Sequence, residues 1–538
     1  GQGSLLTALA HDLGLAAFDP LTPDWASPWT GPRPDVLQHL SDTAWRHQGH
    51  VRERLEQLAQ ALIAGTQPLQ PEWTSTHAVW AHLQQVLVPR VDACGQAEMQ
   101  GLLQGLAGRF VPPGPSGAPS RGRPDVLPTG RNFYAVDTRS VPTPSAYQTG
   151  SLAADRVIER HLQDHGCCPA SVGLSVWGTS TMRTGGEDMA QAFALLGVRP
   201  KWAPGSNRVT DIEVLPMAIR NRPRVDVTLR ISGFFRDAFP NLVDLFDAAV
   251  QAVAAISPDD EPDDVNPIRA RVLREAAEAH AQGVEEGQAR RQASWRVFGP
   301  RPGGYGAGVQ EQIVGGRWQQ GADLAQAYLA VGAFAYGQDG HGLAARGAFE
   351  QRVGGLDAVL HNQDNREHDI LDSDDYYQFQ GGMGAAVRLL SGNMPALYHG
   401  DLSVPGAPRV RTLSEEVARV VRSRAVNPKW LAGIQRHGYK GAFEIAATVD
   451  YLFGFDATVG VVTDHQYALV AEAYVYNDDT RNFMQQHNPQ ALRSVGERLL
   501  EAIQRGMWEQ PGEHRERIAD HLLALEQQLE ETGPAPSP

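Results

Sequence analysis

Two short runs, Val172-Gly-Leu-Ser-Val-Trp and Val225-Asp-Val-Thr-Leu-Arg-Ile, constrain this chain more than any other feature. Each is short, mostly apolar and rich in β-branched residues, which is the pattern of a strand buried in a sheet. Helical patterns surround them at Leu152–Leu162, Asp188–Leu196 and Leu242–Ala254, and Ile212-Glu-Val-Leu reads as a further short strand. Strands alternating with helices predict an α/β layer with a mainly parallel sheet. In such sheets ligands sit on the loops at the carboxyl ends of the strands. Here those loops are Gly178-Thr-Ser-Thr-Met-Arg-Thr-Gly-Gly-Glu and Ser232-Gly-Phe-Phe-Arg-Asp.

At 538 residues the chain has room for about three to five domains. Residues 1–110 read as a helical region, with Leu55, Leu58, Leu62 and Ile63 on one face. Residues 111–130 are rich in proline and glycine and read as a linker or a rigid loop. The α/β domain is expected at 131–260 and a mostly helical domain with loop insertions at 261–531. The tail 532–538 is expected to be disordered. The expected class is therefore multidomain α/β: a helical region, a parallel-sheet layer, then a mostly helical part.

A net charge of −15 argues against a nucleic-acid partner, which needs a basic face. No apolar run approaches the ~18 residues of a membrane helix, and Ile445–Val462 is broken by Asp450 and Asp456. The start of the sequence lacks the pattern of a secretory signal, and it lacks Met, as a fragment or processed product would. The three cysteines, Cys94 and the adjacent Cys167 and Cys168, form no disulfide framework, so the cytoplasm is the expected compartment. Only Lys201, Lys429 and Lys440 among the 47 basic residues are lysine, and none follows a phosphate-binding glycine loop. No bound nucleotide is expected on this chain.

The densest chemistry lies in His361-Asn-Gln-Asp-Asn-Arg-Glu-His-Asp-Ile-Leu-Asp-Ser-Asp-Asp-Tyr-Tyr, with two histidines and six carboxylates. Imidazole and carboxylate together suit borderline divalent metals, and both accept protons near neutral pH when their surroundings tune them. The spacing matches no standard metal signature, and a solvated acidic loop is the competing reading. Glu187, after Thr184-Gly-Gly, is either a base on a strand-to-helix loop or an acid favoured by the helix dipole. Trp177, Arg183, Arg199, Trp202, Arg208 and Arg220 to Arg224 suit a flat, carboxylated ligand; core packing is the alternative for each Trp. His399 and His465 stand alone and read as structural. No G-x-S-x-G nucleophile motif occurs.

Several long motifs occur in collinear order from about residue 100 to 531. They include Gly108-Arg-Phe-Val-Pro-Pro-Gly-Pro, Leu127-Pro-Thr-Gly-Arg-Asn-Phe-Tyr, Val176-Trp-Gly-Thr, Gly185-Gly-Glu-Asp-Met-Ala-Gln-Ala-Phe, Ser232-Gly-Phe-Phe-Arg-Asp, Arg411-Thr-Leu-Ser-Glu and Asn427-Pro-Lys-Trp. This set resembles the large subunits of aerobic cobaltochelatase (CobN) and their relatives, the porphyrin-binding H subunits of magnesium chelatase. Members of that family are much longer, and this chain resembles their C-terminal part.

The resemblance implies ATP-dependent insertion of Co(II), the substrate metal, into hydrogenobyrinic acid a,c-diamide in cobalamin biosynthesis. ATP and Mg(II) would act through two AAA+-type chelatase ATPase partner subunits, consistent with the missing phosphate loop. Metal insertion takes N–H protons off a tetrapyrrole, so bases must stand near the ring, and needs weak ligands that release the ion. On that basis Glu187, His361, Asp364 and His368 are the expected catalytic residues, with His361, His368, Asp372 and Asp374 delivering metal. Trp177, Arg183, Arg199 and Arg236 are expected to hold the macrocycle. The histidines favour cobalt over magnesium, which prefers oxygen ligands. A magnesium-chelatase-type H subunit and a non-catalytic tetrapyrrole-binding module are the alternatives.

Overall fold

The computed structural model describes residues 3–21, 25–41, 44–115, 119, 124–133, 136–404 and 406–532. Most of the expected tail, part of the Pro/Gly-rich segment and part of the run after Asn132 lie outside the described residues. The chain forms two compact units, one of residues 1–115 with 122–134 and the other of 116–121 with 135–538.

The first unit is helical, as the sequence predicted. The helix Gln48–Ile63 turns Leu55, Leu58 and Leu62 into a core with Leu9, Leu37 and Trp73, whereas Ile63 is exposed. The only strands described here are the short parallel pair Pro113–Gly114 and Asn132–Phe133.

The second unit is built on an eight-stranded sheet. Its strands are β1 (Ser171–Val176), β2 (Asp226–Ile231), β3 (Val297–Gly299), β4 (Phe334–Gly337), β5 (Gly340–Ala344), β6 (Ala358–Gln363), β7 (Ala396–Asp401) and β8 (Arg409–Thr412). Their order is β8-β7-β6-β1-β2-β3-β4-β5. The five central strands, β7 to β3, run parallel, and the outer ones are antiparallel. The expected mainly parallel layer is present, but the boundary expected at residue 260 does not separate strands from helices. Six of the eight strands come from residues 297–412, and the purely helical stretch begins at Leu413. These strands are short or carry glycine and polar residues, so their periodicity is weak. The segment Ile212-Glu-Val-Leu lies in a separate antiparallel ribbon, Val198–Trp202 with Val209–Val214.

Alternation along the strands assigns each residue to a face. On one face Val172, Leu174 and Val176 of β1, Val227, Leu229 and Ile231 of β2, and Leu360 of β6 share a core with helices α1 (Pro144–His165), α3 (Glu187–Leu196) and α4 (Pro240–Ala254). The other face packs Val359 and Phe298 against α5 (Gly321–Val331), α6 (Gly382–Ser391) and α7 (Gly438–Val459). It also bears Trp177, Arg230, His361, Gln363 and His399, which is unusual polarity for a buried layer. Between β1 and α3 lies the short helix α2 (Gly178–Thr184).

A buried charge cluster ties the amino end of β2 to β3. Asp226 accepts from Arg296 Nε at 2.6 Å and Nη2 at 3.1 Å, and from Arg271 Nη1 at 3.0 Å. Asp226 and Arg296 are both fully buried, so removing Arg296 leaves the buried Asp226 charge with only the single bond from Arg271. Arg296→Met is expected to destabilise the fold by about 3–5 kcal/mol, read from the denaturant midpoint by tryptophan fluorescence. A change below about 1 kcal/mol would contradict this.

Candidate active site

Beyond β2 the chain builds outward to β5 and then returns to β6 on the other side of β1. This reversal opens a crevice at the carboxyl ends of β1 and β6, the switch point where open α/β sheets bind ligands. Trp177 directly follows β1, and His361 to Gln363 complete β6. A Cβ at Gly178 would lie 2.7 Å from Phe234 Cδ1 and 2.9 Å from Phe235 N. Glycine there lets α2 leave the sheet close to the short helix Gly233–Ala238 that follows β2.

The crevice holds a small cavity of about 80 Å³, lined by Trp177, Thr179, Ser180, Arg183, His361, Asn362, Asp364, His368, Ser373, Asp375 and Tyr376. His368 also lines a neighbouring cavity of about 660 Å³, with Arg366, Glu367, Asp369, Asp372, Arg419, Arg424, Trp430, Ile434, His437, Lys440 and Glu444. That larger volume is in the range of sites for small organic ligands.

His361 is the centre of the smaller cavity. Trp177 Nε1 donates to its Nε2 at 2.7 Å. An indole N–H only donates, so Nε2 holds a lone pair and the neutral ring carries its proton on Nδ1. Nδ1 is buried with no hydrogen-bond partner among the described residues. Tyr376 stacks on the ring at 4.8 Å. Burial, helped by nearby His399, pushes the His361 pKa down to about 3, so the imidazole is neutral at any physiological pH.

Asp364 pairs with Arg183 through two bonds, from Nε at 2.8 Å and Nη2 at 2.9 Å. This fork ties α2 to the loop after β6 across the crevice. Asp375 is the second residue of the short helical turn Asp374–Tyr376, and its N–H donates to the capping Ser373 Oγ at 3.3 Å. Burial and the adjacent Asp374 charge raise the Asp375 pKa to about 6. Asp369, at the larger cavity, is also raised, chiefly by burial. Tyr376 Oη lies 3.4 Å from His368 Nε2.

Of the expected site residues, the structure brings Trp177, Arg183, His361, Asp364 and His368 into the lining of one cavity. Others fall elsewhere. Asp372 lines the larger cavity and is paired with Arg424. Asp374 accepts from Gln378 Nε2 at 2.7 Å and lies outside both linings. Glu187 is buried as the first residue of α3, where its N–H donates to Thr184 Oγ1 at 3.1 Å, also outside both linings. Arg199 pairs across the ribbon with Glu213 at 2.6 Å, its register partner. Arg236 pairs with Asp237 and donates to the carbonyls of Pro300, Arg301 and Gly304. It therefore satisfies three backbone carbonyls of that glycine-rich loop. Among the described residues no three His, Cys, Asp or Glu side chains converge as a resident metal site.

Asp375 and Tyr376 were visible in the acidic stretch but carried no separate signal there. Trp430, His437, Lys440 and Glu444 were not singled out, because helices remote in sequence bring them to the cavity. His399 sits opposite His361 in the parallel register, so it is not the isolated histidine it seemed.

The fold and cavity define an α/β protein with a nitrogen- and oxygen-lined crevice at its switch point. The CobN/Magnesium Chelatase family matches residues 1–515, and the chain belongs to that family. It is 58% identical to the aerobic cobaltochelatase subunit CobN of Pseudomonas aeruginosa over 535 residues, covering 98% of this chain and 42% of that protein. It is 33% identical to the chloroplastic magnesium-chelatase subunit ChlH of Oryza sativa subsp. indica, covering 80% of this chain and 31% of that protein. The catalytic subunit of cobaltochelatase from Mycobacterium tuberculosis superposes with a TM-score of 0.83 at 43% identity, covering 97% of this chain and 44% of that one. The chain thus spans about two fifths of the length of the CobN relatives it matches. No helix among the described residues is long and apolar enough to cross a membrane.

Asp375 gives a test in stability. Its folded pKa of about 6 exceeds the ordinary 3.8, so its ionised form destabilises the fold at neutral pH. Asp375→Asn is expected to raise stability at pH 7.5 by about 1–3 kcal/mol, allowing for partial exposure. The gain shrinks as pH falls through about 6 and vanishes below the ordinary carboxylate value. Denaturant midpoints of both proteins at pH 7.5 and pH 4 check this; an equal gain at both would refute it.

Proposed function

We propose that this chain is the metal-inserting portion of a cobaltochelatase large subunit, acting on hydrogenobyrinic acid a,c-diamide with Co(II) as substrate metal in cobalamin biosynthesis. ATP hydrolysis belongs to two AAA+-type partner subunits, and the complex works in the cytoplasm. The observation that carries the reading is the pair of cavities joined at His368. One is large enough for an organic ligand beside Trp430; the other holds His361, Asp375 and Tyr376.

Insertion of Co(II) into a corrin displaces the one ionisable ring N–H proton, so one proton is released and the metal keeps one unit of positive charge. Asp375 accepts it, since a base near pKa 6 is well matched to neutral pH. His361, at about 3, is too weak a base for that task; its Nε2 lone pair is held by Trp177 Nε1–H, so it becomes a nitrogen ligand to the passing ion only when Trp177 releases it. His368, in both walls, contacts ion and ring in turn and passes the ion between the two cavities. Arg183 holds Asp364 as an ion pair, so Asp364 shapes the crevice instead of taking a proton. Trp177 fixes His361, and imidazole and carboxylate pass cobalt on where thiolate would retain it.

In the complete complex, Asp375→Asn and His368→Ala are each expected to lower cobalt insertion by about 10²–10⁴-fold while corrinoid affinity stays within a few-fold. The wild-type rate is expected to rise with pH through about 6 and then level off, as Asp375 ionises. Full activity in both variants, or a flat acid limb, would overturn the assignment; corrinoid binding without insertion in the wild type would favour a non-catalytic binding module.

A further inference from the structure

The last side chain of β6 holds the loop that carries His368. Gln363 is fully buried, and its Nε2 donates to the carbonyl of Asn365 at 2.9 Å and to the carbonyl of His368. Carbonyl oxygens only accept, so the NH₂ group must face them and Oε1 must face the other way. Oε1 lies 3.1 Å from His399 Nε2. That nitrogen must therefore carry the ring proton and donate. The buried amide has both N–H groups and its oxygen engaged, and its orientation cannot be reversed without losing all three bonds.

His399 is fixed in turn. It is fully buried on β7, opposite His361 in the register, with Glu416 Oε1 3.8 Å from the same Nε2. Arg366, in the middle of the loop, pairs with Asp401 at the end of β7, and Leu402 N donates to Gln363 O at 2.9 Å. Two neighbouring strands thus grip the loop at both its backbone and its side chains.

We infer that Gln363 is a positioning residue that clamps the Asn365–His368 loop so that His368 stands in the wall shared by the two cavities, with His399 locking the Gln363 amide. This rests on the proposed metal-insertion role of His368 for its catalytic consequence, but not for its structural one. Glutamate at 363 keeps the shape and places an acceptor against two carbonyls, whereas leucine removes all three bonds.

The test uses the full-length subunit with its ATPase partners, Co(II) and hydrogenobyrinic acid a,c-diamide. Gln363→Glu and Gln363→Leu are expected to speed amide hydrogen exchange across residues 364–369 by at least tenfold. They are also expected to lower kcat for insertion by at least tenfold, with KM for the corrinoid within about threefold. His399→Leu is expected to act in the same direction more weakly. Its readout also covers the case in which a Gln363 variant fails to fold. Unchanged exchange in these variants would overturn the clamp. Faster exchange with unchanged kcat would overturn its positioning role. If the wild-type complex inserts no cobalt, the functional reading fails, and the clamp is then decided by exchange and by the ¹⁵N signals of the His368 ring alone.

Discussion

The site depends on the parallel pairing of β6 between β1 and β7. Leu360 lies opposite Leu174 on β1, while His361 lies opposite His399 on β7. A slip of one residue would turn His361 and Gln363 into the apolar core on the other face and put Asn362 on the face that now carries them. Register is held by the apolar residues: Leu360 in the core of α1, α3 and α4, Val359 in the opposite one. On the α3 side Asn362 Nδ2 donates to Asp188 and Gln191 at 2.8 and 2.6 Å. Gly400 keeps the space beside it clear, since a Cβ there would meet Asn362 Oδ1 at 2.1 Å.

Burial then sets the chemistry. The same water-poor layer that pushes His361 towards neutrality pushes Asp375 towards protonation, because each change removes a charge. Two groups that in water differ by less than three pH units in the usual order are thereby reversed: the carboxyl becomes the stronger base and the imidazole the weaker. That reversal makes Asp375, not a histidine, the proton acceptor in the proposed reaction. Ion pairs elsewhere in the crevice, Arg183 with Asp364 and Arg424 with Asp369, keep other carboxylates occupied.

Much of this was legible in the sequence, but unevenly. The strands β1 and β2 were visible because Val172, Leu174 and Val176, and Val227, Leu229 and Ile231, alternate along them, and the stretch from His361 to Tyr377 was visible because its chemistry is dense. The strand β6 was hidden by the same density: Ala358-Val-Leu is too short to read as a strand, and His-Asn-Gln reads as loop. It is polar because it ends at a cavity. The role of His399 was invisible, since a parallel neighbour is chosen by long-range packing and leaves no local period. Arg199 and Arg236 were chosen for a chemical type that a ribbon pair and a glycine-rich loop use as readily as a ligand does. Asp374 and Asp375 are adjacent, and only helix geometry separates the one bonded to Gln378 from the one at the cavity.

The measurement that tests the central claim most directly is the structure of this chain with hydrogenobyrinic acid a,c-diamide bound. The expected result is a ring seated in the larger cavity beside Trp430, its central nitrogens facing His368 and the smaller cavity. A ring bound elsewhere, with the crevice between β1 and β6 empty and unchanged, would contradict it.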